Sequence, residues 1–287
     1  MALSYIGGKS RIGTWIRNYI PNNVETYVEP FSGMFWVFFK LDLPQFKNLK
    51  RVVYNDFNPL NVNLFNCIKN YDDFYDVIKD YKSQDKELFE QYQKEIFHPD
   101  FVVDLSEPDY QTASKYAYVL SQVWSGTNPE KSKFIDLKGK YKSKFDSFKG
   151  KLTNDKWKKY FDMITICESM DFQDVIEKYD SSTTYFYCDP PYFLGYDAGR
   201  GWDSQWKSDN EYLDWCDLWA KQLARVLKPN RMMCIFGTLK YDNFLKMKIN
   251  SRFFLLQKHY YLQLLTRKKP LRFLQYPYLY FDNYTRV

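Results

Sequence analysis

The sequence predicts an α/β fold built around a parallel sheet. Five short apolar runs of the kind that form buried strands alternate with segments that repeat apolar residues at helical spacing. This alternation is typical of proteins in which a helix connects each strand to the next parallel one. The predicted strands span residues 26–29, 51–55, 164–167, 184–188 and 232–236. The predicted helices span residues 9–20, 60–70, 172–178 and 209–227.

The helix predicted over 209–227 has the clearest boundaries. Ser208 and Glu211 have the spacing of a capping box, in which the two side chains bind backbone N–H groups at the start of the helix. Apolar residues then form one stripe along the helix, and Pro229 ends it. Because the stripe has ordinary helical spacing, we expect it to face the core.

The alternation stops between about residues 71 and 160, where the sequence becomes polar. Residues 73–96 and 111–124 retain helical patterns, and a lysine-rich stretch follows. We interpret residues 71–159 as an inserted, mostly helical domain. The flanking segments, 1–70 and 160–287, then form the sheet domain.

Charge is distributed unevenly along the chain, although the total is only +6. Residues 71–110 contain twelve Asp or Glu and four Lys, a balance of −8. Residues 131–160 contain eleven Lys and three Asp, and residues 240–287 contain ten Lys or Arg and two Asp, a balance of +8 in each. Blocks of this kind are usually solvated faces, but basic ones also suit a polyanionic partner.

Composition argues against several kinds of site. The five cysteines are dispersed without a C-x-x-C pair and there are two histidines, so we expect no zinc site and no other metal. Dispersed thiols are typical of a reducing compartment. No run of about 18 apolar residues is present, and the first residues lack the apolar stretch of a signal peptide. The sequence therefore predicts a soluble, cytoplasmic protein with no membrane segment.

The most informative motif is Asp189-Pro190-Pro191-Tyr192, which follows the predicted strand 184–188. The prolines remove two backbone donors and fix the chain, which leaves carbonyl oxygens as acceptors. Asp189 and the carbonyl of Pro190 can each accept one N–H of an amino group on a flat ring, and Tyr192 can stack on that ring. The alternative is a strand end followed by a proline-stiffened turn, and four residues alone do not separate the two interpretations.

Two further segments place functional residue types directly after predicted strands. After the first strand the chain reads Glu29-Pro30-Phe31-Ser32-Gly33, a turn in which Gly33 permits close approach of a nucleotide-like ligand. After the second strand, Asp56 stands where an acid can bind both hydroxyls of a ribose. Asp56 followed by Asn58-Pro59 is equally well explained as a turn and a helix start.

Two weaker segments complete the set. The stretch Tyr5-Ile6-Gly7-Gly8-Lys9-Ser10 lacks the full P-loop pattern, which argues against ATP, but paired glycines that open a helix can receive a carboxylate or phosphate. Asp171 can accept from an adenine amino group, and Phe172 can stack on the adenine ring. Taken alone, these two residues are better explained as a helix N-cap and a core side chain.

Taken in order, these segments resemble the Dam-like DNA adenine-N6 methyltransferases. The resemblance covers roughly 1–70 and 160–240, and it rests on YIGGKSRI, YVEPFSG, the strand ending in Asn55-Asp56, and ICESMDF leading to FYCDPPY. It implies a Rossmann-like sheet of seven strands with an inserted target-recognition domain, and S-adenosyl-L-methionine (SAM) as methyl donor. The implied catalytic residues are Asp189, Pro190 and Tyr192. The implied cofactor-binding residues are Tyr5, Lys9, Glu29, Phe31, Gly33, Asp56, Asp171 and Phe172.

The resemblance has one departure at the cofactor loop. Phe35 stands where the family loop usually has its second glycine. A bulky ring at that position predicts crowding of the methionine moiety of SAM.

The function implied is methylation of adenine N6 in DNA, with double-stranded DNA as the partner. A base inside a duplex is unreachable, so the target nucleotide must be flipped out of the helix. Lysines of the first basic block are the predicted phosphate contacts, and they are Lys131, Lys133, Lys138, Lys140, Lys142 and Lys144. The same catalytic loop also suits a cytosine-N4 or RNA adenine methyltransferase. A catalytically silent nucleic-acid-binding relative, its cofactor pocket blocked by Phe35, is the alternative from a different class.

Overall fold

The computed structural model describes most of the first two thirds of the chain and isolated parts of the rest. The described residues are 3, 5, 8–10, 12–124, 128–136, 143–191, 208, 210–212, 214, 215, 218, 222 and 232–235. Within them lies one parallel sheet of five strands, which confirms the predicted α/β class. The strands are β1 (Thr26–Glu29), β2 (Arg51–Asn55), β3 (Ile166–Glu168), β4 (Thr184–Cys188) and β5 (Met232–Ile235).

The order of the strands creates a topological switch point beside β1. The sheet runs β3-β2-β1-β4-β5, and Val28 of β1 lies opposite Val53 of β2 on one side and Phe186 of β4 on the other. The chain therefore moves outward from β1 in one direction through β2 and β3, and in the opposite direction through β4 and β5. Such a switch point leaves a crevice at the carboxyl ends of the strands, where ligands of open α/β sheets bind.

Three predicted strands, β1, β2 and β4, have the predicted bounds. The third prediction, 164–167, is misplaced: Ile164 ends the preceding helix, and the strand begins at Ile166. Thr165 separates the two elements by binding β2, since its hydroxyl donates to the carbonyl of Val52 at 2.8 Å. A run of apolar residues does not show where a helix ends and a buried strand begins.

Helices account for much of the rest of the described chain. Their bounds are α1 (Gly13–Ile16), α2 (Pro59–Lys69), α3 (Tyr71–Ile78), α4 (Lys86–Ile96), α5 (Tyr110–Ser121), α6 (Lys144–Leu152), α7 (Asp155–Met163) and α8 (Phe172–Tyr179). Short 3-10 turns occupy Arg17–Tyr19, Phe38–Lys40 and Leu43–Gln45.

The predicted helix 9–20 is wrong at its start. The amides of Ile12 and Gly13 both donate to the carbonyl of Lys9 in a turn, and α1 begins only at Gly13. The predicted helical piece 73–96 is two helices, because Asp85 caps a new helix by accepting from the amide of Leu88 at 3.0 Å.

Helices α6 and α7 were not predicted within the lysine-rich stretch. Their caps are Ser143, which accepts from the amide of Phe145 at 3.1 Å, and Asn154, which accepts from the amide of Lys156 at 3.1 Å. Of the helix predicted over 209–227, the described residues are helical, and Ser208 caps it by accepting from the amide of Glu211 at 3.1 Å. The remainder lies outside the described residues.

The helices between residues 71 and 163 pack on the sheet through one continuous core. Buried side chains of α2 join them: Asn63 exchanges two hydrogen bonds with the backbone of Asp109, at 2.8 and 2.9 Å, and the hydroxyl of Tyr116 donates to Asn61 at 2.8 Å. Apolar side chains of α3, α5 and α6 belong to the same cluster as those of β1 and β2.

Aromatic rings fill the space between β2, α2 and the segment that follows β1. The ring of Phe65 stacks on Tyr54 with centroids 4.1 Å apart and meets Phe35 edge-on at 5.9 Å. All three rings are fully buried. Among the helices described, none is both long enough and apolar enough to cross a membrane.

We expect Phe65→Ala to lower the free energy of unfolding by about 3–5 kcal/mol, because it removes a buried ring and leaves a cavity. Urea denaturation gives this quantity directly. Val102→Ala is the control, since Val102 is 84% exposed and its truncation should change stability by no more than about 0.5 kcal/mol. A loss below about 1 kcal/mol for Phe65→Ala would contradict the packing described.

Candidate active site

The carboxyl ends of β1, β2 and β3 are joined by two buried polar side chains. Ser32 donates from its amide to the carbonyl of Asn55 at 2.9 Å, and its hydroxyl accepts from the amide of Asn55 at 3.0 Å. The side chain of Asn55 donates to the carbonyls of Pro30 at 2.9 Å and Met170 at 3.1 Å, and accepts from the amide of Met170 at 3.0 Å. These contacts fix the turns that follow three strands. Neither side chain was predicted to have a role.

Gly33 adopts the conformation that the sequence predicts for the loop after β1. Its φ is +51°, in the left-handed region that favours glycine. Its amide donates to Asp56 Oδ2 at 2.8 Å, and its carbonyl accepts from the hydroxyl of Tyr54 at 2.8 Å. A Cβ atom on Gly33 would lie 2.9 Å from the ring of Tyr5, so only glycine fits under that ring.

Tyr5 is held over the glycine turn by a short chain of hydrogen bonds. Its hydroxyl accepts from Asn61 Nδ2 at 2.7 Å, and Asn61 Oδ1 in turn accepts from the hydroxyl of Tyr116 at 2.8 Å. The structure therefore brings together Tyr5, Gly33 and Asp56, three residues that were predicted from separate parts of the sequence.

Asp56 is buried, it accepts from two backbone amides, and the side chain of Asn61 provides a further hydrogen bond. Oδ2 accepts from Gly33, and Oδ1 accepts from the amide of Asn58 at 2.8 Å. Asn58 caps α2 by accepting from the amide of Leu60 at 3.0 Å, which confirms the turn-and-helix-start alternative for this segment. Burial raises the pKa of Asp56 to about 6, although its hydrogen bonds act in the opposite direction. Its binding of a ribose stays a prediction.

Asp189 lies beside Lys9. The ammonium nitrogen of Lys9 is 2.5 Å from Asp189 Oδ2, and the two side chains are only 11% and 16% exposed. The turn at residues 9–12 positions Lys9, and the end of β4 positions Asp189. Pro190 is buried, while Tyr192 lies outside the described residues. The N-terminal segment thus contacts the residue that the sequence singles out as catalytic.

Glu29 occupies the end of β1, next to β4. It is 2% exposed, and its Oε1 accepts from the hydroxyl of Tyr27 at 2.6 Å and from the amide of Phe38 at 3.2 Å. Burial raises the pKa of Glu29 well above its ordinary value; the hydrogen bond from Tyr27 opposes this shift, and Asp189 adds to it.

Three aromatic rings meet near the end of β3. The centroid of Phe172 lies 5.6 Å from that of Phe31 and 5.4 Å from that of Trp215, and Phe31 and Trp215 are 6.2 Å apart. Phe172 is 4% exposed, and Asp171 caps α8 by accepting from the amide of Gln173 at 2.9 Å. The N-cap and core interpretation of these two residues is confirmed. Trp215 was assigned only to the core stripe of its helix.

Phe35 does not occupy the position expected from its place in the loop. Its φ is 54°, and its ring is part of the hydrophobic core. The ring is fully buried, 4.6 Å from the centroid of Phe38 and 5.2 Å from that of Tyr54. The expectation that Phe35 crowds the cofactor is therefore not supported.

Phe57 was not predicted to have a role, and it is a large exposed side chain directly after the carboxyl end of β2. It directly follows Asp56, and it is 75% exposed in spite of its size. An aromatic residue exposed beside a candidate ligand site offers a flat apolar face to that ligand. The signal in the sequence was available, since Phe57 stands between the strand end and the cap of α2.

The predicted phosphate contacts fall into three groups. Lys131 and Lys133 are exposed, whereas Lys138, Lys140 and Lys142 lie outside the described residues. Lys144 is partly buried; its ammonium donates to the carbonyl of Val123 at 2.8 Å, and burial lowers its pKa. Lys144 therefore binds the protein backbone, an outcome that charge counting does not predict.

The raised pKa of Asp56 predicts how the stability of the folded chain depends on pH. Its pKa rises from 3.8 to about 6 on folding, so between these values the folded chain retains a proton that the unfolded chain has released. Raising the pH through this window therefore favours unfolding, by roughly 3 kcal/mol for this group. We expect the free energy of unfolding to decrease less over this window in Asp56→Asn than in the original chain.

Urea denaturation at pH 4 and about pH 6.5 measures this difference. The control is Asp100→Asn, because the side chain of Asp100 is 92% exposed. If Asp56→Asn and the control show the same pH dependence, the buried position assigned to Asp56 is wrong.

Comparison with known proteins gives concordant matches. The model of the D12 class N6 adenine-specific DNA methyltransferases matches residues 5–200, and a model described as DNA methylase matches residues 183–272. The chain is 28% identical over 210 residues to a DNA adenine methylase of Haemophilus influenzae, a match that covers 66% of this chain and 63% of that protein. It is 26% identical over 194 residues to the type II methyltransferase M.CviBI of Paramecium bursaria Chlorella virus NC1A, which covers 66% of this chain and 68% of that protein.

The first family match includes the N-terminal turn with Lys9, the glycine turn after β1, Asp56 and Asp189. These are the segments that the structure gathers at the carboxyl ends of the strands. The aligned part spans just under two thirds of the length of the Haemophilus relative. Since the first model covers well over half of the chain, the chain belongs to the D12 class of N6 adenine-specific DNA methyltransferases.

Proposed function

We propose that the chain transfers a methyl group from SAM to the N6 atom of adenine in double-stranded DNA. The observation that carries this proposal is the placement of Asp189, paired with Lys9, at the switch point of the sheet. The glycine turn and Asp56 lie at the adjoining strand ends. A carboxylate acceptor and a nucleotide-binding turn are thus provided by neighbouring strands, as transfer between a cofactor and a base requires.

The strand ends fit the parts of SAM. The left-handed Gly33 gives the backbone room to approach a ligand, and Asp56 is the acid for the ribose hydroxyls. Phe57 provides an exposed ring on which the adenine base of the cofactor stacks. Tyr5, Lys9, Glu29, Phe31, Asp171 and Phe172 complete the proposed cofactor site. When bound, SAM supplies an electrophilic methyl carbon on a sulfonium, which leaves as a neutral thioether.

Asp189 and the carbonyl of Pro190 hold the target amino group. The lone pair of N6 is delocalised into the purine ring, which makes the amine a poor nucleophile. Two acceptors on its N–H groups favour a tetrahedral nitrogen whose lone pair points at the methyl carbon, and alignment supplies much of the rate. The nitrogen forms the new bond and gives up one proton, which Asp189 is placed to accept. Tyr192 is the proposed stacking partner of the flipped base.

The remaining assignments extend beyond the described residues. We infer that the five described strands are part of a seven-stranded sheet, with 1–70 and 160–287 as the catalytic domain. Residues 71–159 are the proposed target-recognition domain, and their continuous core with the sheet supports a rigid attachment. Exposed Lys131 and Lys133 contact phosphate, and Lys138, Lys140 and Lys142 are proposed to do the same. Lys144 supports the fold of this region through Val123.

We expect Asp189→Ala to lower methyl transfer to DNA by at least about 100-fold, because it removes an acceptor that acts on the reacting nitrogen. Incorporation of labelled methyl groups into DNA measures the rate, and calorimetric titration with SAM checks that the cofactor site persists. Asp174→Ala is the matched control, an exposed acid on α8. Turnover near that of the original chain in Asp189→Ala would defeat the assignment.

We expect Lys131→Glu combined with Lys133→Glu to weaken DNA binding and to reduce its dependence on salt, since each lost phosphate contact lowers the slope by about 0.9. Fluorescence anisotropy at several salt concentrations measures both effects. Lys86→Glu combined with Lys94→Glu makes the same charge change on exposed positions of α4. If the two pairs of substitutions weaken DNA binding equally, only the net charge of the chain matters. The DNA-binding surface would then lie elsewhere.

A further inference from the structure

Two carboxyl groups lie at the neighbouring ends of β1 and β4, and an ammonium group contacts the second of them. Glu29 ends β1, Asp189 follows β4, and Lys9 reaches Asp189 from the N-terminal turn. The same face of the two strands carries Tyr27 and Tyr185, whose rings stack with centroids 6.2 Å apart. Asp189 and Lys9 both act electrostatically on Glu29, in opposite directions.

The ammonium group of Lys9 is in contact with Asp189. Lys9 Nζ is 2.5 Å from Asp189 Oδ2, at side chains that retain 11% and 16% exposure. Glu29 is 2% exposed, and its hydrogen-bond donors are a phenol hydroxyl and a backbone amide, both uncharged. Both donors reach the same oxygen, Oε1. A buried carboxylate without a charged partner in contact is unfavourable, and two carboxyl groups that share a site tend to retain one proton between them.

We propose that Glu29 acts as a neutral carboxylic acid and as a positioning residue beside the Lys9–Asp189 ion pair. With its proton retained, Glu29 does not compete with Asp189 for Lys9. Asp189 then keeps the position that meets the target amino group. This inference rests on the proposed function for the role of Asp189.

The charged and titratable groups around Glu29 are consistent with this role. Burial raises the pKa of Glu29 well above its ordinary value, and the negative charge of Asp189 raises it further. The hydrogen bonds from Tyr27 and Phe38 and the charge of Lys9 act in the opposite direction. A charged Glu29 would compete with Asp189 for Lys9 and so weaken the contact that the two side chains make.

Infrared spectroscopy of the full chain, without SAM or DNA, tests the protonation state directly. All glutamates are labelled with carbon-13 in the side-chain carboxyl group. We expect a carbonyl band of a protonated acid at pH 7 that shifts on labelling and is absent from Glu29→Gln. Glu168→Gln is the control, because Glu168 is paired with Lys178 at 2.5 Å, and this variant should keep the band.

Activity supplies the second readout. Glu29→Ala should lower methyl transfer at least tenfold, and Glu29→Gln should restore most of the loss, because glutamine is neutral and keeps an acceptor for Tyr27 and Phe38. Absence of a protonated glutamate band from the labelled original chain overturns the inference, whether or not the variants fold. So does a folded Glu29→Gln that is as inactive as Glu29→Ala. Methylation by a chain whose Glu29 is ionised would overturn this inference and leave the proposed function standing.

Discussion

The hydrogen-bonded junction between Asn55 and Ser32 is the constraint on which the site depends. A parallel sheet brings its strand ends to one edge, but it does not fix the turns that leave them. Asn55 binds the turn after β1 and the turn after β3, and Ser32 closes the turn after β1 onto β2. Both side chains are buried, so an unmade hydrogen bond there would leave polar groups unsatisfied at considerable cost. Rigid turns let Gly33 hold its left-handed conformation against Asp56.

Three acids at this edge differ because their surroundings differ. Asp189 has an ammonium partner and some exposure to water, whereas Glu29 is buried among uncharged donors. Asp56 is buried as well, but two backbone amides partly offset the burial. Burial therefore raises the pKa of both Glu29 and Asp56, whereas Asp189 lies in contact with the ammonium group of Lys9.

The positions of most strands, and of the motifs that follow them, could be predicted because buried strands and their flanking turn residues leave clear local patterns. The order of the strands in the sheet could not be predicted from such patterns. The pairing of Lys9 with Asp189 could not, since 180 residues separate them and only the tertiary fold brings them together. The position of the Phe35 side chain could not be predicted either. A phenylalanine in the glycine loop suggests a blocked pocket, yet the ring is packed in the core against Phe38. Lys144 likewise belongs to the basic block 131–160, but its ammonium group donates to the backbone carbonyl of Val123. Composition records which side chains are present and not the direction in which they point.

Mass analysis of nucleosides, after DNA has been incubated with the chain and SAM, tests whether the carboxyl ends of the strands serve methylation of an adenine amino group. We expect N6-methyldeoxyadenosine as the modified nucleoside, formed in double-stranded DNA and not in RNA. N4-methylcytosine alone, methylation confined to RNA, or the absence of any methylated nucleoside from a chain that binds DNA would contradict it.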